Sequence, residues 1–244
     1  MSGHSKWNNI KRKKGKTDSQ RAKVFTKIGR EITVAVREGG PDLVSNGKLR
    51  DVIAKAKANN VPSENIDRII KKASAADKAD YETIVYEGYG PGGVAVIVET
   101  LTENRNRTAA DVRHYFDKYG GNLGTTGCVS FSFIQKGVIV IDMEDKNEEK
   151  VLEDCLEAGA DDVEFSEGAA EITSDPTKLR DVRESLETMG YEFESADVEY
   201  VPDNYVALEG EDKLKQMSQL IEHLEDSDDV QDIWHNLENE EDLP

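Results

Sequence analysis

The order of strand-like and helix-like segments between Lys136 and Tyr200 is the feature that most constrains the fold. Two apolar, amphipathic helical patterns separate four short segments rich in β-branched and aromatic residues. In order these are Gly137–Met143 (strand), Asn147–Ala158 (helix), Asp162–Phe165 (strand), Ala169–Ser174 (strand), Pro176–Met189 (helix) and Glu192–Tyr200 (strand). The order β-α-β-β-α-β is that of ferredoxin-like folds. We predict a ferredoxin-like, acidic domain over residues 136–201.

The segments on either side of this domain are too short to fold separately. Residues 81–134 read β-β-α-β, with strands predicted at Tyr81–Tyr86, Val94–Leu101 and Cys128–Ile134 and a helix at Ala109–Tyr119. Residues 203–238 read strand, helix, strand, with segments at Tyr205–Leu208, Asp212–Leu224 and Val230–Leu237. Joined, they make a second ferredoxin-like α/β domain, and residues 136–201 are then inserted in its middle.

The beginning of the chain has helical instead of strand periodicity. Apolar residues recur at three- and four-residue spacing from Thr17 to Glu38 and from Lys48 to Asn59, and again after Pro62. Thr17 with Gln20 fits a capping box, Asn46 is a candidate cap, and Gly39 to Pro41 should end the first helix. The sequence therefore predicts an α+β protein: an N-terminal three-helix domain over residues 17–78, followed by two ferredoxin-like α/β domains, the third inserted within the second.

Charge is distributed very unevenly along the chain. Residues 1–78 carry a net charge of +11, whereas residues 79–244 carry −30, giving −19 for the whole. Residues 1–16 are basic and lack periodicity, so we predict a flexible basic arm. A basic segment of this kind attracts polyphosphate, and the acidic remainder repels it.

The residues predicted to contact nucleic acid follow from this charge. Most lie in the arm, and the first helix extends the basic surface; the set is Lys6, Trp7, Lys11, Arg12, Lys13, Lys14, Lys16, Arg21, Lys23, Lys27 and Arg30. The lysines and arginines would bind phosphates, and Trp7 would stack on a base. The alternative for Trp7 is packing against the first helices.

A second donor-rich cluster is Thr102-Glu103-Asn104-Arg105-Asn106-Arg107-Thr108, which leads into a predicted helix. Because a helix N-terminus favours anions, Arg105 and Arg107 are further candidates for nucleic-acid contacts. The alternative is that both pair with neighbouring acids such as Glu99, Glu103 or Asp111.

Several motifs resemble one known family. They are GHSKW-N-IKRKK and RAKVFTKIGREITVA near the start, then EGYGPGG, T-E-NRNRT and GGNLG in the same order as in that family. The chain is thereby similar over essentially its full length to the YebC/PmpR family, which includes the mitochondrial translational activator of cytochrome oxidase. The resemblance implies the same inserted-domain architecture. It also implies a regulator described either as a DNA-binding transcriptional regulator or as a factor that helps ribosomes through proline runs.

Catalytic and metal motifs are missing from the sequence. The four histidines are scattered, and there is no HExxH, GxSxG, phosphate loop or dinucleotide-binding glycine pattern. Acids near Arg105 and Arg107 could hold Mg²⁺ in a nuclease, but such pairs are more often structural. We therefore predict no enzyme activity, no cofactor and no metal.

The location follows from the same sequence. No apolar run is long enough for a membrane span, and no secretory segment opens the chain. The two cysteines do not form a CxxC motif, which favours buried, reduced thiols. We expect a cytoplasmic protein with no membrane partner; no sequence pattern fixes its oligomeric state.

Three functions remain open at this point. The first is a non-catalytic regulator that binds ribosomal RNA in translation, which suits a basic arm on compact acidic domains. The second is a DNA-binding transcriptional regulator. The third is a protein-interaction scaffold whose acidic surfaces bind a basic partner.

Overall fold

The computed structural model describes Trp7, Ile10 and residues 18–75, 81–166 and 168–244. In chain order its elements are α1 (Asp18–Gly39), α2 (Gly47–Ala58), α3 (Ser63–Ala75), β1 (Glu82–Tyr89), β2 (Ala95–Thr102), α4 (Arg105–Lys118), β3 (Asn122–Leu123), β4 (Phe133–Asp142), α5 (Glu148–Glu157), β5 (Asp162–Ser166), β6 (Ala169–Ser174), α6 (Leu179–Thr188), β7 (Ser195–Pro202), α7 (Glu211–Asp226) and β8 (Val230–His235). Helices followed by two four-stranded sheets confirm the predicted α+β class.

Contacts between residues divide the chain into two units. The described residues of 76–134 join those of 200–244, and the helical residues up to 75 join those of 135–199. Residues 81–134 and 203–238 lie within the first unit, and their grouping into one domain stays a prediction. The division into a separate helical domain and a separate inserted domain stays a prediction, because those two parts share one contact unit.

The three N-terminal helices pack around one apolar core. Ile28 and Ile32 of α1, Leu49 of α2 and Ile66 of α3 are each less than 5% exposed. Asn46 begins α2: its side chain accepts a hydrogen bond from the Leu49 N–H at 3.0 Å, so the predicted cap is confirmed. The predicted capping box needs Thr17, which lies outside the described residues.

The sheet of the first unit has the order β3-β1-β2-β8, in which β1 pairs antiparallel with β2 and β3, and β2 pairs antiparallel with β8. One face carries a core that includes Val96, Val98, Phe116 and Leu220, contributed by β2, α4 and α7. Gly88 in β1 lies so close to β3 that an added Cβ would stand 2.6 Å from the Asn122 carbonyl oxygen. A glycine is required there because of this approach.

The second sheet has the order β5-β6-β4-β7. Strand β6 pairs antiparallel with both β4 and β5. Ile139, Ile141 and Ile172 from the sheet and Leu186 from α6 form its core, each at most 1% exposed. Along the chain, these four strands and two helices follow the predicted order β-α-β-β-α-β; the bounds of 136–201 as a separate domain stay a prediction.

Two predicted strands are wrong. Residues Cys128–Ile134 do not form a strand of their own: Ser130–Ser132 is a 3-10 turn, and Phe133 and Ile134 are the first residues of β4. The Glu87 carboxylate binds the backbone N–H groups of this turn, which removes them from any strand ladder. The predicted strand Tyr205–Leu208 is reduced to a single bridge between Val206 and Leu237.

The helix after the NRNRT cluster begins earlier than predicted. It starts at Arg105 because the Asn104 side chain accepts the Arg107 N–H at 3.1 Å. The expectation of two buried thiols is correct for Cys155 only, since Cys128 is half-buried. Burial, followed by the charge of Asp154, raises the pKa of the Cys155 thiol to about 11.

Candidate nucleic-acid interface

A basic stripe runs along α1. Lys23, Lys27 and Arg30 are four and three residues apart, which places them on one face of the helix. All three side chains are half-buried. This face lies opposite the one that carries Ile28 and Ile32 into the core, so the helix separates its basic side from its packed side.

Arg21 does not belong to this stripe. It precedes Ile28 by seven residues and Ile32 by eleven, so it follows the line of the apolar face at the exposed start of α1. The structure therefore brings together three of the four basic residues predicted on this helix.

The basic arm falls mostly outside the described residues. Lys6, Lys11, Arg12, Lys13, Lys14 and Lys16 are among those not described. Trp7 and Ile10 have helical backbone, and Trp7 is only 5% exposed. This burial favours the packing alternative for Trp7 over a ring held free in solvent for base stacking.

Part of the positive charge on the helices is paired within the second unit. Lys55 lies 3.1 Å from Glu31 and 4.0 Å from Asp197, and Arg50 lies 3.7 Å from Glu184. Asp197 and Glu184 belong to the segment predicted as the inserted acidic domain. The net charge of +11 for residues 1–78 therefore overstates the positive charge that α2 offers to a partner.

Another polar link in this unit has the opposite arrangement of charge: the helix carries the acid, and the predicted acidic segment supplies the arginines. Asp51 of α2 accepts hydrogen bonds from Arg180, at 2.5 and 3.2 Å, and from Arg183 at 2.9 Å. The Arg183 side chain is 5% exposed, whereas that of Arg180 is 42% exposed. This cluster was not predictable from the sequence, because no sequence pattern connects residues about 130 positions apart.

Both arginines of the NRNRT cluster form ion pairs with acids elsewhere in this chain. Arg105 Nη1 lies 3.2 Å from Glu82, and Arg107 Nη2 lies 2.7 Å from Asp229. The hydrogen bond and charge of Asp229 raise the pKa of Arg107. Ion pairing within the chain is therefore favoured for both arginines over contact with nucleic acid. The partners, however, are distant in sequence and are not the neighbouring acids that the sequence suggested.

Asp229 is the centre of that network. It is 6% exposed and accepts hydrogen bonds from the hydroxyl groups of Thr102 at 3.2 Å and Thr108 at 2.8 Å, besides Arg107. Buried carboxylates require such donors. The cluster fixes the start of α4 against the turn before β8.

The EGYGPGG motif contains a second buried carboxylate. Glu87 is 4% exposed, and it accepts hydrogen bonds from the backbone N–H groups of Gly127 at 2.8 Å, Val129 at 3.0 Å and Ser130 at 2.8 Å. Burial opposes ionisation, but the three donors outweigh it and lower the pKa of Glu87. The acid thereby fixes the turn that precedes β4.

No group of three or more His, Cys, Asp and Glu side chains within the described residues is arranged to hold a metal ion.

Among the helices of the described ranges, none combines the length and the apolar character needed to cross a lipid bilayer.

Comparison with known proteins gives the family. Residues 5–76 match the TACO1/YebC protein N-terminal domain, and residues 81–237 match the TACO1/YebC second and third domain. Together these matches cover nearly the whole chain. The protein belongs to the TACO1/YebC family, as the sequence motifs indicate.

Relatives and a solved structure agree with this assignment. The chain is 56% identical over 241 residues to a probable transcriptional regulatory protein of Finegoldia magna, covering 98% of this chain and 100% of that one. It is 57% identical to another of that name from Acetivibrio thermocellus, covering 97% and 98%. The crystal structure of a conserved hypothetical protein from Aquifex aeolicus superposes with a TM-score of 0.82 at 44% identity, covering 91% and 92%.

Proposed function

We propose that this protein is a non-catalytic, cytoplasmic regulator of gene expression that acts in translation by binding ribosomal RNA. One observation carries the proposal: ten lysines and arginines with a single acid lie between Lys6 and Arg30 of a chain whose net charge is −19. Such a concentration of one sign opposes the charge of the whole molecule. It is best explained by a polyanionic partner.

The basic stripe of α1 supports the same partner. Lys23, Lys27 and Arg30 share a face that points away from the helical core, so the arm and this stripe supply positive charge from adjoining segments. Lysines and arginines of this kind bind phosphates and release counterions, which gives affinity without sequence readout. The paired Arg105 and Arg107 are secondary candidates, for which an RNA phosphate would compete with Glu82 and Asp229.

The acidic remainder favours a confined RNA site over a long duplex. Residues 79–244 carry a net charge of −30, which repels an extended phosphate backbone lying along the molecule. A ribosomal cleft presents RNA locally and basic proteins around it. The basic segment can then contact RNA while the acidic surfaces face protein or solvent.

A DNA-binding transcriptional regulator is the second candidate. The observation that favours it is the name of the relatives, which are called probable transcriptional regulatory proteins. Against it, the sequence offers no convincing helix-turn-helix spacing for reading bases in the major groove.

Charge reversal tests the role of the arm. Lys13→Glu with Lys14→Glu should weaken binding to RNA of every sequence. It should also flatten the plot of log K against log salt concentration, whose slope is about −0.7 for each phosphate neutralised on a single strand. Lys71→Glu with Lys72→Glu is the matched control, since it makes the same charge change at exposed positions of α3. Fluorescence anisotropy at several salt concentrations measures both. Equal slopes for the arm variant and the wild type would contradict the proposal.

Sedimentation distinguishes the two partners. The tagged protein in cell lysate is run on a density gradient after treatment with RNase or with DNase. Migration with ribosomes that RNase abolishes and DNase spares supports the translational role. Association with chromosomal fragments that only DNase removes would replace it with the transcriptional one.

A further inference from the structure

The most exposed Phe, Tyr or Trp within the described part of the chain is Phe131, at 75%. It lies in the 3-10 turn that precedes β4, between the buried residues Val129 and Ser132. A large apolar ring in this position gains little from folding, because most of its surface stays in water. The exposed ring is therefore available for contact with a partner.

The backbone that carries this ring is held in place. The N–H groups of Val129 and Ser130 donate to the buried Glu87 carboxylate, and the Ser132 N–H donates to the Val129 carbonyl at 2.9 Å. The Asp203 N–H donates to the Ser132 carbonyl at 2.9 Å. The ring is thus presented on a fixed turn, as a binding group must be if ordering it is not to cost affinity.

The sequence on either side of the turn has no acidic residue, and the Glu87 carboxylate that contacts the turn is buried. One residue in five of this protein is Asp or Glu, yet residues 118–134, which belong to the same unit as the turn, contain none and include Lys118. Asp203 contacts the turn through its backbone N–H. Phosphates can approach this segment with less repulsion than they meet along most of the acidic remainder.

We propose that Phe131 is a stacking platform for an unpaired base of RNA. The inference rests on the proposed function and adds a base contact to the phosphate contacts made by the arm and α1. A flat, exposed aromatic ring binds the face of any base, so it requires a single strand but no particular sequence. Tyr89 supplies a second half-exposed ring beside the same turn, where its hydroxyl donates to the Cys128 carbonyl at 3.1 Å.

Binding of single-stranded and duplex RNA by the full chain tests this role. Phe131→Ala should weaken the affinity for a 12-mer of mixed-sequence single-stranded RNA by roughly tenfold, the loss of one stacked base. Its affinity for duplex RNA should not change, since paired bases offer no free face. Leu156→Ala is the matched control, because Leu156 is an exposed apolar residue of α5 at 54%, and it should bind both RNAs like the wild type.

A second variant reports the stacking directly. Phe131→Trp should keep the affinity of the wild type. The wild type fluoresces from Trp7 and Trp234, so single-stranded RNA should quench the variant more than the wild type if the new Trp side chain stacks on a base. Absence of extra quenching would overturn the proposal even if Phe131→Ala binds weakly.

Three other outcomes overturn it as well. In the first, Phe131→Ala binds single-stranded RNA as tightly as the wild type does. In the second, it loses as much affinity for duplex RNA as for single-stranded RNA. In the third, the wild type binds single-stranded DNA as tightly as single-stranded RNA, and Phe131→Ala weakens both equally. If the arm reversal flattens the salt dependence while Phe131→Ala binds normally, the proposed function stands and this inference fails. If the wild type binds no RNA, both fail.

Discussion

At the scale of single residues, Glu87 gives the EGYGPGG motif a structural role, because it holds the turn before β4. Its carboxylate is buried and accepts three backbone N–H groups. We expect Glu87→Gln to lower the free energy of unfolding by about 2–3 kcal/mol, since the amide cannot accept all three bonds and the charge-assisted bonds are lost. Urea denaturation followed by circular dichroism measures this. Glu82→Gln, at an exposed carboxylate of the same strand, should cost less than about 1 kcal/mol.

The same residue makes a prediction about pH. The folded-state pKa of Glu87 lies below its ordinary value of 4.5. Its contribution to stability is therefore complete above that value and is lost as pH falls through the folded-state pKa. The difference in unfolding free energy between wild type and Glu87→Gln should be constant near neutral pH and shrink in acid below about 4.5. A difference that grows in acid would refute the proposed role of the charge.

At the scale of elements, two asparagine caps separate local from tertiary contributions. Asn147 caps the exposed start of α5 through one bond, from the Lys150 N–H. Asn46 caps α2 and also donates to the carbonyls of Ala35 and Gly40, both at 2.7 Å. It is 4% exposed.

The two caps should therefore differ in cost. We expect Asn147→Ala to lower the unfolding free energy by about 1 kcal/mol, the usual value of a cap. Asn46→Ala should cost about 2–4 kcal/mol, because it also leaves two carbonyls without their donor. Thermal or urea denaturation of both variants measures the difference. Equal losses would show that the two hydrogen bonds from Asn46 to the Ala35 and Gly40 carbonyls add nothing to the free energy of unfolding.

At the scale of the molecule, Asp51 links the helices to the segment of the second sheet. Double-mutant cycles should give a larger coupling energy for Asp51 with Arg183 than for Asp51 with Arg180, because the first arginine is buried and the second is well exposed to solvent. Glu184 and Glu187, at 3.7 and 3.5 Å, share the charge of Arg183, so we expect about 1–3 kcal/mol for that pair. The cycles use Asp51→Ala, Arg180→Ala and Arg183→Ala in urea denaturation. A larger coupling for Arg180 would reverse this ranking.

The order of elements was predictable because hydrophobic period and cap chemistry are local. The β-α-β-β-α-β order of residues 136–201 and the Asn46 cap follow from neighbouring residues alone. The incorrect strand at Cys128–Ile134 has the opposite cause. Its apolar, β-branched residues favour a strand, but a carboxylate about 40 positions earlier takes the backbone donors.

The candidate interface divides in the same way. The sequence by itself determined the sign of the charge, the α+β class and the family, because these depend on composition, periodicity and motifs. Only the tertiary structure decided that Arg107 pairs with Asp229, that Trp7 is buried and that Phe131 is exposed. Pairing and burial depend on which distant groups folding brings within a few ångströms, and a linear pattern does not contain that information.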